Sequence, residues 1–513
     1  MPLTEVDLVV FEKLIPAGPY LRRLKAAIDC EPCRALVADC YAAGMGAPAE
    51  EPVRLLKLSL LPFQYDLSDS QVRRHARVNV ACRFFLGLSL DSPLPVPSLL
   101  SQFRPRLGVE RCTQSFDELL RQARAQGLVK DRLRLKDAPP LSANIAIPSP
   151  LQLVAQTREQ VLVAAEGFAA NDVAGQRAHG DALRTATADL RAEQRLLARV
   201  AHRRALVVWG EQWQQRLRQA AEGPHPLATA EQVAAFSAAL EVAPQGLNDR
   251  EPGATDKLLA LTDSDARTGK HGDYYDGYLL DVSLDADSEL ICARDVLPAN
   301  GDEGANAIPL LMSEEQAHGN DIASLSIDRI GYRGDLRATL SDDANGPPLT
   351  VSVPPVDWLP PAPELFQPAA FLLNEAREEV RCPGGATTRT RKRAERGPGW
   401  RFAFSIPQCR ACSVRAQCVK PDAQRGRTVI KSDYEAQYQR ARQRAQTAAY
   451  HAVRREHPRI ERKLAELVHW HAGCRVRYRG RLKVKIQYVL TALVVNCNRM
   501  VKRLALSQQP QLA

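Results

Sequence analysis

The stretch Lys130–Pro140, KDRLRLKDAPP, decides how the chain is read. Leu133 and Leu135 alternate with Arg132, Arg134 and Lys136, the period of two that a strand imposes on its two faces. Pro139 and Pro140 then stiffen the chain and cannot donate to a ladder. The strand is therefore expected to end at Asp137, with a carboxylate at its C-terminal tip.

Upstream, residues 1 to about 120 read as helical. Leu21, Leu24 and Ile28 give one apolar face at i, i+3, i+7, and Leu55, Leu56, Leu58, Leu60 and Leu61 a denser block. Asp69 stands where a helix N-cap would open the basic stretch of YDLSDSQVRRHAR. Arg73, Arg74, Arg77, Arg104 and Arg106 either face DNA phosphates or decorate an ordinary helical bundle. Downstream, residues 151–222 are polar, Ala-rich and proline-free, as a long helical insertion would be. PGATDKLLALTDSDARTGKHGD reads as Gly/Asp-rich loop. A hairpin follows: Tyr278, Leu280, Val282 and Leu284 alternate, DADS turns, and ELICARDVL returns. EGANAIPLLMSEEQ suits a helix, ASLSID a strand ending at Asp328, GDLRATL a short helix and LTVSV a further strand. NGPPL and PPVDWLPPAPE bracket that last strand as loops.

With the insertions set aside, the order is a three-strand meander followed by alternating helices and strands. That order predicts an α/β fold with a ribonuclease-H-like core. Its layout brings Asp137 and Asp328 to one rim. A third acid is expected from HPRIERKLAELVHWH, where Pro458 suits the first helical position. Ile460, Leu464 and Leu467 make the buried stripe, with Glu461 one residue round. Two hard divalent ions about 4 Å apart need such carboxylates to clamp the oxygens of an in-line phosphoryl displacement. Taken singly, each acid has a bland reading: a strand-end Asp is commonly a turn residue, and a first-turn Glu commonly answers the helix dipole.

Charge is segregated along the chain. The formal net charge is +10, yet residues 263–303 hold 11 acids against 3 bases. Residues 376–431 carry 14 bases against 4 acids, and 451–503 carry 14 against 3, so an acidic centre lies between basic stretches. Within the last stretch Arg475, Arg477, Arg479, Arg481, Lys483 and Lys485 recur every second residue. That period suggests an extended basic edge leading into an apolar helix from Ile486, suited to phosphates. A solvated charged surface is the alternative. Of 12 cysteines, Cys382, Cys409, Cys412 and Cys418 make a C-x26-C-x2-C-x5-C arrangement. It is read either as a structural zinc site or as four reduced thiols. Cys30 and Cys33 sit in helical, apolar surroundings and read as buried free thiols. No apolar run approaches a membrane span and nothing in MPLTEVDLVVFEKL suggests export, so a cytoplasmic protein without membrane contact is expected.

These blocks also resemble a known family. RALVADCYAAGMGAPAEEPVRLLKLSLLPFQYDLSDSQVRRHARVNVACRFFLGLSLDSPLPVPSLLSQFRPRLG resembles the InsH-type N-terminal helical domain of DDE-type transposases from bacterial insertion sequences, the IS-four/IS-five supergroup. RLRLKDA, SIDRIGY and RIERKLAEL resemble its three catalytic blocks, and RVRYRGRLKVKIQYVLTALVVNCNRMVKRL its closing basic helix. The resemblance implies that Asp137, Asp328 and Glu461 bind two Mg²⁺, with Mn²⁺ as a substitute. Water would cut phosphodiester at the element's ends, and the freed 3′-hydroxyl would join target DNA. It implies double-stranded terminal inverted repeats and target DNA as partners, and synapsis by a homodimer. Many relatives carry Arg four residues before the helix glutamate and Lys seven after it. Here those positions are His457 and Val468, and Arg455, Arg459 and Lys463 are candidates to supply the charge. A catalytically decayed remnant that only occupies repeats is the alternative.

The expected architecture is thus an all-α N-terminal DNA-binding domain (1–120), a first core segment (121–150) and a helical insertion (151–250). A second core segment (251–375), a basic Cys-rich insertion (376–430) and the closing part of the core (431–513) follow.

Overall fold

The computed structural model describes all residues except 1–2, 39, 41–49, 224–225, 249–255, 341–348, 357–363, 396, 422, 472, 474 and 508–513. NGPPL and PPVDWLPPAPE therefore fall largely outside the described residues.

The N-terminal region is helical: α1 Glu5–Leu14, α2 Tyr20–Ala27, α3 Arg34–Ala38, α4 Pro52–Gln64, α5 Asp69–Val78, α6 Val80–Leu86 and α7 Pro97–Ala125. The apolar positions that predicted these helices are buried, among them Leu21, Leu24, Leu55, Leu56 and Leu61. Ser68, not Asp69, caps α5, in a reciprocal capping box with Gln71. Asp69 instead accepts both Nη groups of Arg104, whose side chain is buried, so Arg104 is a strut between α5 and α7 rather than a phosphate contact.

A mixed sheet follows, built from β1 Arg134–Asp137, β2 Pro140–Ser142, β3 Arg267–His271, β4 Asp273–Asp285, β5 Ile291–Pro298, β6 Ser324–Ile327 and β7 Thr350–Ser352. Long β4 is antiparallel to β5 and also to β1. β1 is parallel to β6, and β6 to β7. The order through the middle is β5-β4-β1-β6-β7, with β2 and β3 also pairing with β4. Part of the stretch expected to be loop is thus strand β3, whose zipper to β4 runs from Arg267 opposite Gly277 to His271 opposite Asp273.

Between β2 and β3 three helices, α8 Pro150–Ala186, α9 Ala192–Ala221 and α10 Ala230–Asn248, close a core of their own around Val161, Leu162, Leu206, Phe236 and Leu240. After β5 come α11 Ala307–His318 and, beyond β6, α12 Gly334–Leu340. Residues 372–432 form two small three-stranded sheets, Leu372–Leu373, Val380–Arg381 and Thr387–Thr388, then Arg391–Arg393, Gly399–Ala403 and Thr428–Ser432. Short α13 Ile406–Arg410 lies among them. The chain closes with α14 Glu435–Ala445, α15 Ala448–Glu456, α16 Pro458–Trp470 and α17 Arg481–Ser507.

α17 packs on α7, β5, α4 and α2, so the N-terminal helices and one face of the sheet share one core. Helical geometry begins at Arg481, and Arg481, Lys483 and Lys485 lie in its first turns, not on an extended edge. Val484 is buried, while Arg481 and Lys483 point outward. Among the described residues no helix is long and apolar enough to cross a membrane.

Candidate active site

The sheet's parallel seam brings two of the acids together. On β1 and β6, Arg134 lies beside Leu325, Leu135 beside Ser326 and Lys136 beside Ile327. The next residue on each chain segment is an aspartate, Asp137 and Asp328. Neighbouring strands lie on the order of 5 Å apart and equivalent steps share a face, so both carboxylates arrive at one rim. Each is also tied into its own backbone. Asp137 accepts the N–H of Ala138 at 2.8 Å, and Asp328 accepts that of Ile330 at 3.0 Å, capping a short 3₁₀ turn.

The same face of β1 receives α16. Ile460, Leu464 and Leu467 are buried in the core that holds Leu135, Val282 and Leu284, as the stripe predicted, and Glu461 lies just outside it, exposed. Burial pushes the Asp137 carboxyl above the ordinary aspartate range. The charges of Asp328 and Glu461 push it the same way, opposed by the Ala138 hydrogen bond and Lys136. Both other acids thus act electrostatically on Asp137.

The alternation of β1 hides a second feature. Arg134 and Lys136 are fully buried, because the opposite face of the strand is covered as well. Lys136 pairs with buried Asp281 at 2.6 Å and donates to the Glu303 carbonyl at 2.9 Å. Arg134 meets Asp285 at 2.8 Å and Glu314 at 2.6 Å. Glu303 is a fourth carboxylate near the rim. Burial pushes it up to about 7, Lys136 opposes this, and Asp328, Asp281 and Asp137 add to it. Nothing in the spacing around EGANA marked it.

The three cations considered as stand-ins near Glu461 go elsewhere. Arg459 bonds Glu456 and the Ala286 carbonyl, Lys463 is buried against Glu466 at 2.7 Å, and Arg455 is exposed. Arg454 is a cation on which Asp328 and Glu461 both act electrostatically. His457 is buried, and burial, reinforced by the Arg454 charge, depresses its imidazole to about 4.

The basic residues divide in the same way. Arg73, Arg74 and Arg77 are exposed along α5, opposite buried Val72 and Ala76. Arg106, Arg475, Arg479, Arg481 and Lys483 are also exposed. Arg477 is not available: it donates to the carbonyls of Leu67 and Pro62, pairs with Asp66 at 2.6 Å and lies over the Phe63 ring. Lys485 pairs with Asp295 at 2.6 Å.

The four cysteines share one neighbourhood. Burial pushes the Cys418 thiol up, Arg427 opposes this, and Cys409, Cys382 and Cys412 add to it. Cys409 Sγ accepts the Arg427 N–H at 3.4 Å, and a Cβ on Gly384 would lie 2.5 Å from Cys412 Sγ and 3.8 Å from Cys382 Sγ. Cys33 is buried, Cys30 half-buried, and burial raises both thiols.

Among the described residues no three His, Cys, Asp or Glu side chains stand arranged to hold a metal ion. In donor chemistry the fit is good: the rim offers only carboxylate oxygens, as hard divalent cations require, and the cluster offers four thiols, as zinc does. In geometry, either set would have to draw closer around an ion.

Residues 9–106 match the family model described as Transposase domain (DUF772), and residues 381–501 match the one described as Transposase DDE domain. The second region contains Glu461 and the four cysteines, while Asp137 and Asp328 precede it. No curated protein and no solved structure matches the chain.

Proposed function

We propose that the chain, a DDE-type transposase, cuts and rejoins DNA at the rim formed by Asp137, Asp328 and Glu461. The observation that carries this is the parallel register that ends in two adjacent aspartates, with the Glu461 charge acting on the first of them. The ribonuclease-H-like assignment draws support from the order β5-β4-β1-β6-β7, a meander joined to two parallel strands.

Asp137, Asp328 and Glu461 would hold two Mg²⁺ or Mn²⁺. When bound, such ions activate the attacking oxygen and stabilise the leaving one. The chain's own contribution is placement. The seam carries the two aspartates, and Glu461 would join them from α16, which packs on β1. Arg73, Arg74, Arg77, Arg475, Arg479, Arg481 and Lys483 would meet the phosphates of the inverted repeats and target. A homodimer would hold two ends together. In this reading the helical N-terminal region binds DNA, α8–α10 and residues 376–430 are insertions in the core, and the four cysteines bind structural zinc.

A second reading, a DNA-binding remnant without catalysis, draws on His457, Val468 and an acid set not closed around an ion. Cleavage of labelled element-end DNA in Mg²⁺ or Mn²⁺ separates the two. The proposal expects nicking by the wild-type chain and none by Asp137→Asn or Glu461→Gln, with DNA binding retained. Binding without nicking by the wild-type chain supports the remnant.

A further inference from the structure

We infer that Arg454 is a positioning residue that fastens the helices bearing Glu461 to the strand end bearing Asp328. The inference rests on the reading of those two acids as catalytic.

Arg454 lies in the last turn of α15, and His457 between α15 and α16 keeps helical dihedrals of φ −53° and ψ −38°. The backbone therefore runs on almost as one helix, and residues 454, 457 and 461 fall on one side at i, i+3 and i+7. Pro458, at the first position of α16, lacks the N–H that would otherwise reach back to the carbonyl of residue 454. That junction needs fastening by side chains, and two of them supply it.

Arg454 Nη1 donates to Ser326 Oγ at 3.0 Å and to the Ile327 carbonyl at 3.1 Å. These are the last two strand residues before Asp328. Ser326 is fully buried and its hydroxyl also meets His457 Nδ1 at 3.1 Å. Because arginine can only donate, Ser326 Oγ accepts from it, and the same hydroxyl is shared with His457 Nδ1. Arg454, Ser326 and His457 thus form one hydrogen-bonded cluster between helix and strand.

The guanidinium also supplies charge. Burial on balance lowers the Arg454 pKa, and Tyr450, Asp328 and Glu461 oppose this by favouring its charged form. A cation that attracts both carboxylates offsets part of their mutual repulsion. Hydrogen bonds from an ionised donor are also stronger and more directional than neutral ones, as a rigid strut requires.

The test uses the full chain and four variants: Arg454→Ala, Arg454→Lys, Ser326→Ala and Glu461→Gln. Cleavage of end DNA, DNA affinity and hydrogen exchange are measured on each. A small misplacement of catalytic groups costs up to about 100-fold in rate. Arg454→Ala is expected to lose on that order, and Arg454→Lys, which keeps the charge and one bond, roughly tenfold, with DNA affinity unchanged in both. Exchange of the Ile330 amide, which is bonded to Asp328, is expected to speed up in Arg454→Ala and Ser326→Ala while distant helices exchange as before. Cleavage and Ile330 exchange that match the wild type overturn the inference. So does a rate loss that appears entirely as weakened DNA binding. Undiminished cleavage by Glu461→Gln instead sinks the assignment of the acids on which it rests.

Discussion

Lys136 and Asp281 are both fully buried and meet at 2.6 Å, one residue along the strand from Asp137. Removing one partner of such a pair strands a charge in low dielectric, which costs about 3–5 kcal/mol. Lys136→Met should lose stability on that scale in urea unfolding. Adding Asp281→Asn should recover part of it, since the uncompensated charge is then gone. Equal stability of the single variant and the wild type would mean that the pair is solvated.

Glu303 and His457 give opposing pH dependences. The folded carboxyl of Glu303 is raised to about 7 from 4.5, so the folded state holds the extra proton between those values. Stability from this group therefore falls as pH rises from about 4.5 to 7, by on the order of 3 kcal/mol. The folded imidazole of His457 is depressed to about 4 from 6.5, so the unfolded state holds the extra proton there. Stability from it is lost as pH falls through that window. Glu303→Gln should unmask the His457 slope, giving stability that rises steadily from about pH 4 to 6.5. A profile unchanged by Glu303→Gln in chemical denaturation across pH would contradict the Glu303 assignment, and no rise from about pH 4 to 6.5 in that variant would contradict the one for His457.

Two groups of arginines that look alike in sequence should behave differently. Replacing Arg73, Arg74 and Arg77 by alanine should weaken DNA binding and reduce the slope of log affinity against log salt by up to about 3. Stability should hardly change. Arg477→Ala removes three hydrogen bonds and the contact with the Phe63 ring, and should cost about 1–3 kcal/mol of stability while leaving the salt slope alone. Fluorescence anisotropy over a salt series, beside thermal unfolding, distinguishes these outcomes.

The cysteine cluster should yield about one zinc per chain by elemental analysis, lost on Cys409→Ser or Cys412→Ser. Chelation should then unfold residues 372–432 selectively. Four freely titrating thiols without zinc, in an unchanged fold, would favour the reading as reduced cysteines.

Much of the fold was legible locally. The alternation in β4, the return in β5, the apolar stripe of α16 and the strand end at Asp137 are all written in short stretches, while β6 stops at Ile327, one residue short of the expected Asp328, which caps the next turn. What escaped depends on partners distant in sequence. Charged Arg134 and Lys136 alternate with leucines as if facing water, but Asp285, Glu314 and Asp281 lie beyond the helices α8–α10 and bury them. Arg104 and Arg477 read as surface cations until Asp69, Asp66 and backbone carbonyls claim them. The basic row at 475–485 has a strand's period, yet helix α17 starts inside it, because Val484, Tyr488 and Leu490 pack on the core. Arg454 escaped for the same reason: its partners are on β6.

If Asp137, Asp328 and Glu461 make a divalent-metal centre, Mn²⁺ titrated into the full chain should report it directly by electron paramagnetic resonance. Saturable binding by the wild type, lost in Asp137→Asn and in Asp328→Asn, and weakened in Glu461→Gln, is the predicted result. Equal Mn²⁺ binding by all four proteins would contradict it.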